Sequence, residues 1–211
     1  MVGAADGTPP VGFGAIRGRD LVMLVVASGF AYGLVLGAHR LTPTQMLYSG
    51  VKVPILLTAS SVVCLPNFFV VNTLLGLRAD FRVVLRAIAE AQATMAIVLA
   101  SLAPVTALVY ASSSNYRLAI VWNGGMFLTA SLASHVHLGR IYAPLIASDP
   151  RHRFGKLVWL TLYVFVTIQL AWMLRPFVGS PGLEPSFLRS DLWNNAYVQV
   201  GGAVWKVLTR F

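Results

Sequence analysis

The sequence predicts an all-α fold, a polytopic bundle of about five transmembrane helices closed by a C-terminal segment that lies along the membrane surface. Three observations predict it. Hydrophobic residues make up 57% of the chain and charged residues 11%, with a mean hydropathy of +0.73. A water-soluble domain carries about 25% charged residues, so this chain is too poor in charge to coat a globule in water. The apolar residues also gather in five stretches, at about 20–38, 53–77, 84–111, 118–138 and 157–174. Each comes close to or exceeds the roughly 20 residues that a membrane helix needs. Finally, the basic residues sit at the ends of these stretches, as topology signals do. A nucleic-acid surface would instead cluster them on one face among aromatics, so the net charge of +9 does not indicate a nucleic-acid partner.

Arg17 and Arg19 precede the first stretch, which is longer than the apolar part of a secretory signal. No small-residue cleavage pattern follows before His39 and Arg40, and the stretch reads as a retained anchor. It contains Gly29, Gly33 and Gly37, a repeated small-xxx-small spacing that lets helix backbones approach closely in lipid. Ala89, Ala93, Ala96, Ala100, Ala103 and Ala107 form a second stripe of small residues in the third stretch. Both stripes suit packing inside the bundle, or an interface with another membrane subunit or a second copy. The glycines of a terminal helix are the better candidates for the latter.

The second stretch belongs to "VKVPILLTASSVVCLPNFFVVNTLLGLR", residues 51–78. Lys52 is expected to snorkel at the interface, and Pro54 to sit in a first helical turn. Pro66, at mid-span, deprives the Val62 carbonyl of its helical donor, and in hydrocarbon that carbonyl needs another partner. Asn67 and Asn72 are expected to donate to a neighbouring helix, giving a kinked span whose polar side faces the bundle interior. The same features would also suit the broken helix of a small channel or transporter.

From Phe81 to Tyr110 a continuous third helix would rise about 45 Å, more than the hydrocarbon core of about 30 Å. Its first turns therefore lie outside the core or tilt, and Pro104 is expected to kink its far end. Glu90 is expected to pair with Arg86 near the inner end, or else to serve as a buried proton or ion ligand. In the fourth stretch His135 and His137 are two residues apart, which points them to different sides of a helix and prevents them from sharing a metal. His152 lies in "DPRHRFGK", a basic loop expected to meet anionic lipid headgroups. The one cysteine, Cys64, reads as a small buried hydrophobe.

The chain divides into a flexible tail (1–19), the helical membrane domain (20–175) and a Pro-rich interfacial segment (176–211). Pro176, Pro181 and Pro185 interrupt the last part, and Trp193, Tyr197, Trp205 and Phe211 suit a bilayer surface. With the N-terminus inside, the inner segments hold nine basic residues: Arg17, Arg19, Arg78, Arg82, Arg86, Arg140, Arg151, Arg153 and Lys156. The outer loops hold three, Arg40, Lys52 and Arg117. Excess Lys and Arg remain cytoplasmic, which predicts N-inside and C-outside in a bacterial cytoplasmic membrane. No Ser–His–Asp order, nucleophile elbow, phosphate loop or carboxylate pair is present. No catalytic residue, metal or cofactor is therefore expected.

Residues 50–175, and above all "KVPILLTASSVVCLPNFFVVNTLLG" and "AIAEAQATMAIVLASLAPVTALVY", resemble the Yip1-type family of small polytopic membrane proteins. The acidic-tyrosine-glycine-proline motif of the eukaryotic members is absent. The resemblance implies five spans and a membrane-organising or accessory role without catalysis, and it carries over no functional residue.

Overall fold

A computed structural model describes residues 16–179 and 184–188. Five helices follow one another: α1 (Gly18–Leu36), α2 (Pro43–Leu74), α3 (Phe81–Ser112), α4 (Tyr116–Ser148) and α5 (Arg151–Met173). The described residues form no strand. Residues 1–15 of the expected tail (1–19) and most of the interfacial segment, with Trp193, Tyr197, Trp205 and Phe211, lie outside the described residues, while Gly18 and Arg19 already belong to α1.

Local chemistry sets the helix ends. The α1–α2 connection is a single 3₁₀ turn, Gly37–Arg40, followed by Leu41 at φ 51° and Pro43 in the first turn of α2. Gly76, at φ +76°, ends α2 in a paired motif. Its N–H donates to Thr73 at 3.0 Å, while that of Leu77 donates to Asn72 at 2.8 Å. The Asn115 side chain caps α4 by accepting from the Arg117 and Leu118 amides at 3.0 and 3.3 Å. Between α4 and α5 the Asp149 carboxylate accepts from the Arg151 amide at 2.9 Å and chelates its guanidinium. Those bonds hold the Asp149 carboxyl below the usual carboxylate range.

α1, α2, α3 and α5 are long and apolar enough to cross a membrane. α4 is the expected fourth helix and is as long as α2, but it does not reach their apolarity. Asn123, Ser131, Ser134, His135, His137 and Arg140 dilute it, and two of those, Asn123 and Ser134, are buried. α2 also begins ten residues before the expected 53. Pro54 is therefore well inside the helix, and Lys52 is buried. α2 and α3 each run 32 residues, about 48 Å at helical rise, so both must tilt or emerge from the hydrocarbon core. α3 continues through Pro104.

The helices alternate in direction. One end gathers Phe68 of α2, Val84 of α3, Tyr142 of α4 and Trp159 of α5 in a single apolar cluster. The other end brings together Tyr32, Tyr110 and Asn123 from α1, α3 and α4. Small residues decide the α1–α2 pairing. A Cβ on Gly33 would stand 2.7 Å from the Gly50 Cα, and one on Gly37 2.8 Å from the Met46 Cα. Gly29 faces the Pro54 backbone at 3.3 Å. The glycine stripe is thus covered by α2 of the same chain, so of the two readings, packing inside the bundle or an interface with another subunit, these glycines serve the first. In the alanine stripe, Ala93, Ala96 and Ala103 are buried with Leu21, Val25 and Tyr32 of α1, and Ala89 packs against them. Ala100 is half-buried and Ala107 exposed.

Gly33→Ala would gain about 1 kcal/mol of helix propensity but force a methyl into backbone. The net expectation is a loss of about 1–3 kcal/mol, read as a lower thermal midpoint in detergent. Gly124→Ala on α4, whose added Cβ meets nothing within 4 Å, is expected to leave the midpoint unchanged or raise it.

Candidate functional site

The polar side chains inside the bundle fall into three groups, and the richest lies where α5 ends. There the chain turns back as Arg175–Pro176–Phe177–Val178–Gly179 and lies against the first half of α2. Gln45, Ser49 and Lys52 are spaced four and three apart, so they share one face of α2, and all are buried. Gln45 Nε2 donates to the Phe177 carbonyl at 3.0 Å and to that of Pro176 at 3.2 Å. The Ser49 hydroxyl donates to the Phe177 carbonyl as well. Lys52 Nζ donates to the Pro176 carbonyl at 2.8 Å and the Ser186 carbonyl at 3.3 Å. Its ammonium also stands 5.9 and 5.3 Å from the ring centres of Phe177 and Phe187, a cation–π environment. Gly179, at φ +77°, passes so close that an added Cβ would lie 3.2 Å from Gln45 Cγ. The snorkelling lysine of the sequence reading is instead the anchor of this strap: backbone carbonyls and aromatic faces replace the water that a buried ammonium loses.

The strap forms one wall of a cavity of about 450 Å³ between α4 and α5. Tyr116, Ile120, Asn123, Gly124 and Phe127 line it from α4, and Thr167, Ile168 and Ala171 from α5. The two helices meet through Leu138, Tyr142, Trp159 and Tyr163 at the other end of the molecule, so they diverge towards the strap. Ile120 is 48% and Ile168 45% exposed, which marks the opening as lateral, between the helices. On the inner side Asn123 is the hub of a polar network. It accepts from Tyr32 at 2.9 Å and donates to Tyr110 at 2.5 Å, and Tyr110 donates to the Leu36 carbonyl at 3.2 Å.

The second group surrounds Glu90, which is 4% exposed. Arg86 Nε pairs with it at 3.0 Å, and His137 Nε2 stands 4.0 Å away. Arg86 also donates to the Ile16 carbonyl at 2.8 Å, and Tyr163 donates to Gln92 at 3.1 Å. Glu90 therefore ties α3 to α4 and to the approach to α1. The third group joins the ends of α2 and α5. His152 Nε2 lies 3.2 Å from Asp80 Oδ2, and Arg151 donates to the Leu75 carbonyl at 2.8 Å. His152 is 1% exposed. It docks a helix start, while Arg151 and Arg153 of the same basic segment are exposed.

Pro66 and Asn67 lie on the exposed face of α2, which corrects their expected inward orientation. Asn72 is buried, but it donates to the Phe68 carbonyl of its own helix at 3.0 Å. Its Oδ1 lies opposite Gly155 of α5. The structure therefore does not bring the Pro66–Asn67 pair to an interior passage. Sequence reasoning missed Gln45, Ser49 and Asn123, and it misassigned Lys52. The spacing of Gln45, Ser49 and Lys52 is visible in the sequence, but the carbonyls they serve lie more than 120 residues away. Among the described residues no three His, Cys, Asp or Glu side chains gather as a metal site would require.

No family model matches the chain, and neither does any curated protein or solved structure.

Lys52→Met keeps the length of the side chain and removes the ammonium. It leaves the Ser186 carbonyl without its Lys52 donor and the Pro176 carbonyl with Gln45 alone, at about 1–3 kcal/mol. Faster amide exchange and protease cleavage are expected in residues 174–179 and 184–188, with the helices unaffected. The Asp149 loop has its own signature. Because its folded pKa is depressed, its stabilisation is complete above the ordinary carboxylate range and is lost as pH falls through the lower folded value. Amide exchange at residues 151–153, corrected for the intrinsic rate, is expected to stay slow at about pH 4 and to quicken only below it. Asp149→Asn is expected to be fast throughout.

Proposed function

We propose that this chain is a non-catalytic integral membrane protein that acts within the plane of a bacterial cytoplasmic membrane, as a scaffold or accessory subunit of a larger membrane assembly. The observation that carries this reading is the shortness of the connections between the described helices. Ser113–Asn115 joins α3 to α4, Asp149 and Pro150 join α4 to α5, and the two earlier connections are single 3₁₀ turns with a few flanking residues. The described residues thus contain no extramembrane body with which to engage an aqueous partner. Their extensive surface is lateral, with Val62, Val63, Leu108, Val121, Leu128 and Leu132 all more than half exposed. The buried polar groups are largely taken up in bonds inside the chain: Ser134 to the Ala91 carbonyl, Asn72 to Phe68, Lys52 to the strap. That supports a structural role over a relay. The resemblance to Yip1-type proteins points the same way. A channel or transporter centred on Pro66 and Asn67 is disfavoured by their outward orientation.

The orientation is part of the proposal. The end carrying Arg78, Arg82, Arg140, Arg151 and Arg153 lies on the cytoplasmic side, where its basic side chains meet anionic lipid.

Two measurements test this. With Cys64→Ala as background, a single cysteine at Ser114 is expected to react with an impermeant maleimide on intact cells, and one at Ser148 only after lysis. The reverse pattern refutes the orientation. After extraction into native nanodiscs, mass analysis is expected to show the chain in a complex of fixed stoichiometry. A lone monomer at all concentrations refutes the subunit role.

A further inference from the structure

The cleft between α4 and α5 is open sideways, and in a membrane its mouth faces acyl chains and not water. Leu36, Leu56, Phe127 and Val178 line its apolar interior. A void of about 450 Å³ left empty would forfeit the dispersion contacts of its walls, and this volume lies within the roughly 300–1,000 Å³ of small-molecule sites. Gly124 and Ala171, one on each helix, are what leave the space. Two polar features sit in the same walls. The Thr167 hydroxyl is buried near the Tyr163 hydroxyl one turn earlier and makes no hydrogen bond of good geometry among the described residues. Arg175 is held against the Trp172 ring, 3.1 Å from its centre, with its Nε donating to the Trp172 carbonyl at 3.2 Å. Among the described residues that line the cavity, Arg175 supplies the guanidinium.

We propose that this cleft is a lipid site: it takes one hydrocarbon chain of an anionic bilayer phospholipid, whose phosphate lies at Arg175 and whose ester region reaches Thr167. A guanidinium suits phosphate oxygens because its planar donors match their geometry. The chain enters between Ile120 and Ile168 and runs along Gly124 and Ala171 towards Phe127. This site is independent of the scaffold role and needs only the membrane placement.

Photo-crosslinking in nanodiscs tests it, with probes carrying a photoactivatable acyl chain: phosphatidylglycerol, phosphatidylcholine and free palmitate. The phosphatidylglycerol probe is expected to label residues 116–127 and 167–171 in preference to the exposed α2 face at Val62 and Val63. Gly124→Leu places a side chain in the void without meeting other atoms at its Cβ. By displacing about two buried methylenes it is expected to cut labelling in the cleft about tenfold and to leave the α2 labelling unchanged. Arg175→Gln is expected to abolish the preference for phosphatidylglycerol over phosphatidylcholine, and Thr167→Val, which leaves the strap intact, to weaken labelling by both phospholipids. Even labelling of all lipid-facing helices, or cleft labelling indifferent to Gly124→Leu, overturns the site. Equal labelling by phosphatidylcholine in the unaltered protein overturns the anionic headgroup. Preferential labelling by palmitate overturns the phospholipid assignment. A lone, unassembled but lipid-labelled chain would refute the subunit role and leave the lipid site standing.

Discussion

At Gly33 and Gly37 the backbones of α1 and α2 come into direct contact, with no side chain between them. In lipid two helices gain little from hiding apolar surface, because the solvent is itself apolar. Close packing and hydrogen bonds must hold them, and only glycine permits this approach. The pose of α2 follows from it. Once α2 lies along α1, its face carrying Gln45, Ser49 and Lys52 is turned towards the end of α5, and the strap after α5 has three donors waiting for its carbonyls. The wall that closes one side of the α4–α5 cleft therefore depends on two glycines that touch the backbone of Gln45 and Ser49, whose side chains hold the strap.

The two ends of the bundle are built differently. At the end with Phe68, Tyr142, Trp159 and Tyr163, large aromatic side chains fill the space between α2, α4 and α5. At the strap end Tyr116, Ile120, Phe127 and Ile168 line a space between α4 and α5 that the small residues Gly124 and Ala171 leave unfilled. α4 carries Asn123 and Ser134 inward, and its glycines at 124 and 125 meet no neighbouring atoms.

Buried charge is handled by partners close in sequence or by backbone. Glu90 has Arg86 one turn away and His137 across the interface, and Lys52 has carbonyls and ring faces in place of a carboxylate. A charge buried without such groups is expensive. These arrangements fix the places where helices cross, and with them the relative positions of α1, α3 and α4.

Composition and the length of the apolar stretches were enough to set an all-α chain of five helices in lipid, because those properties depend only on which solvent a segment prefers. The helix ends at Pro43, Gly76 and Asn115 rest on local capping chemistry, yet the apolar stretches alone placed the start of the second helix at 53, ten residues late. The Arg86–Glu90 pair, one turn apart on a single helix, was readable because its spacing is local. What each small or polar residue faces was not. The glycine stripe was equally compatible with a partner and with α2, and Asn67 looked the same as Asn72 although one is exposed and the other buried. A helix fixes the angular spacing of its side chains but not its own rotation about its axis. That rotation is settled by packing against the other helices, which is why the strap on Lys52 and the cleft beside it exist only in the tertiary structure.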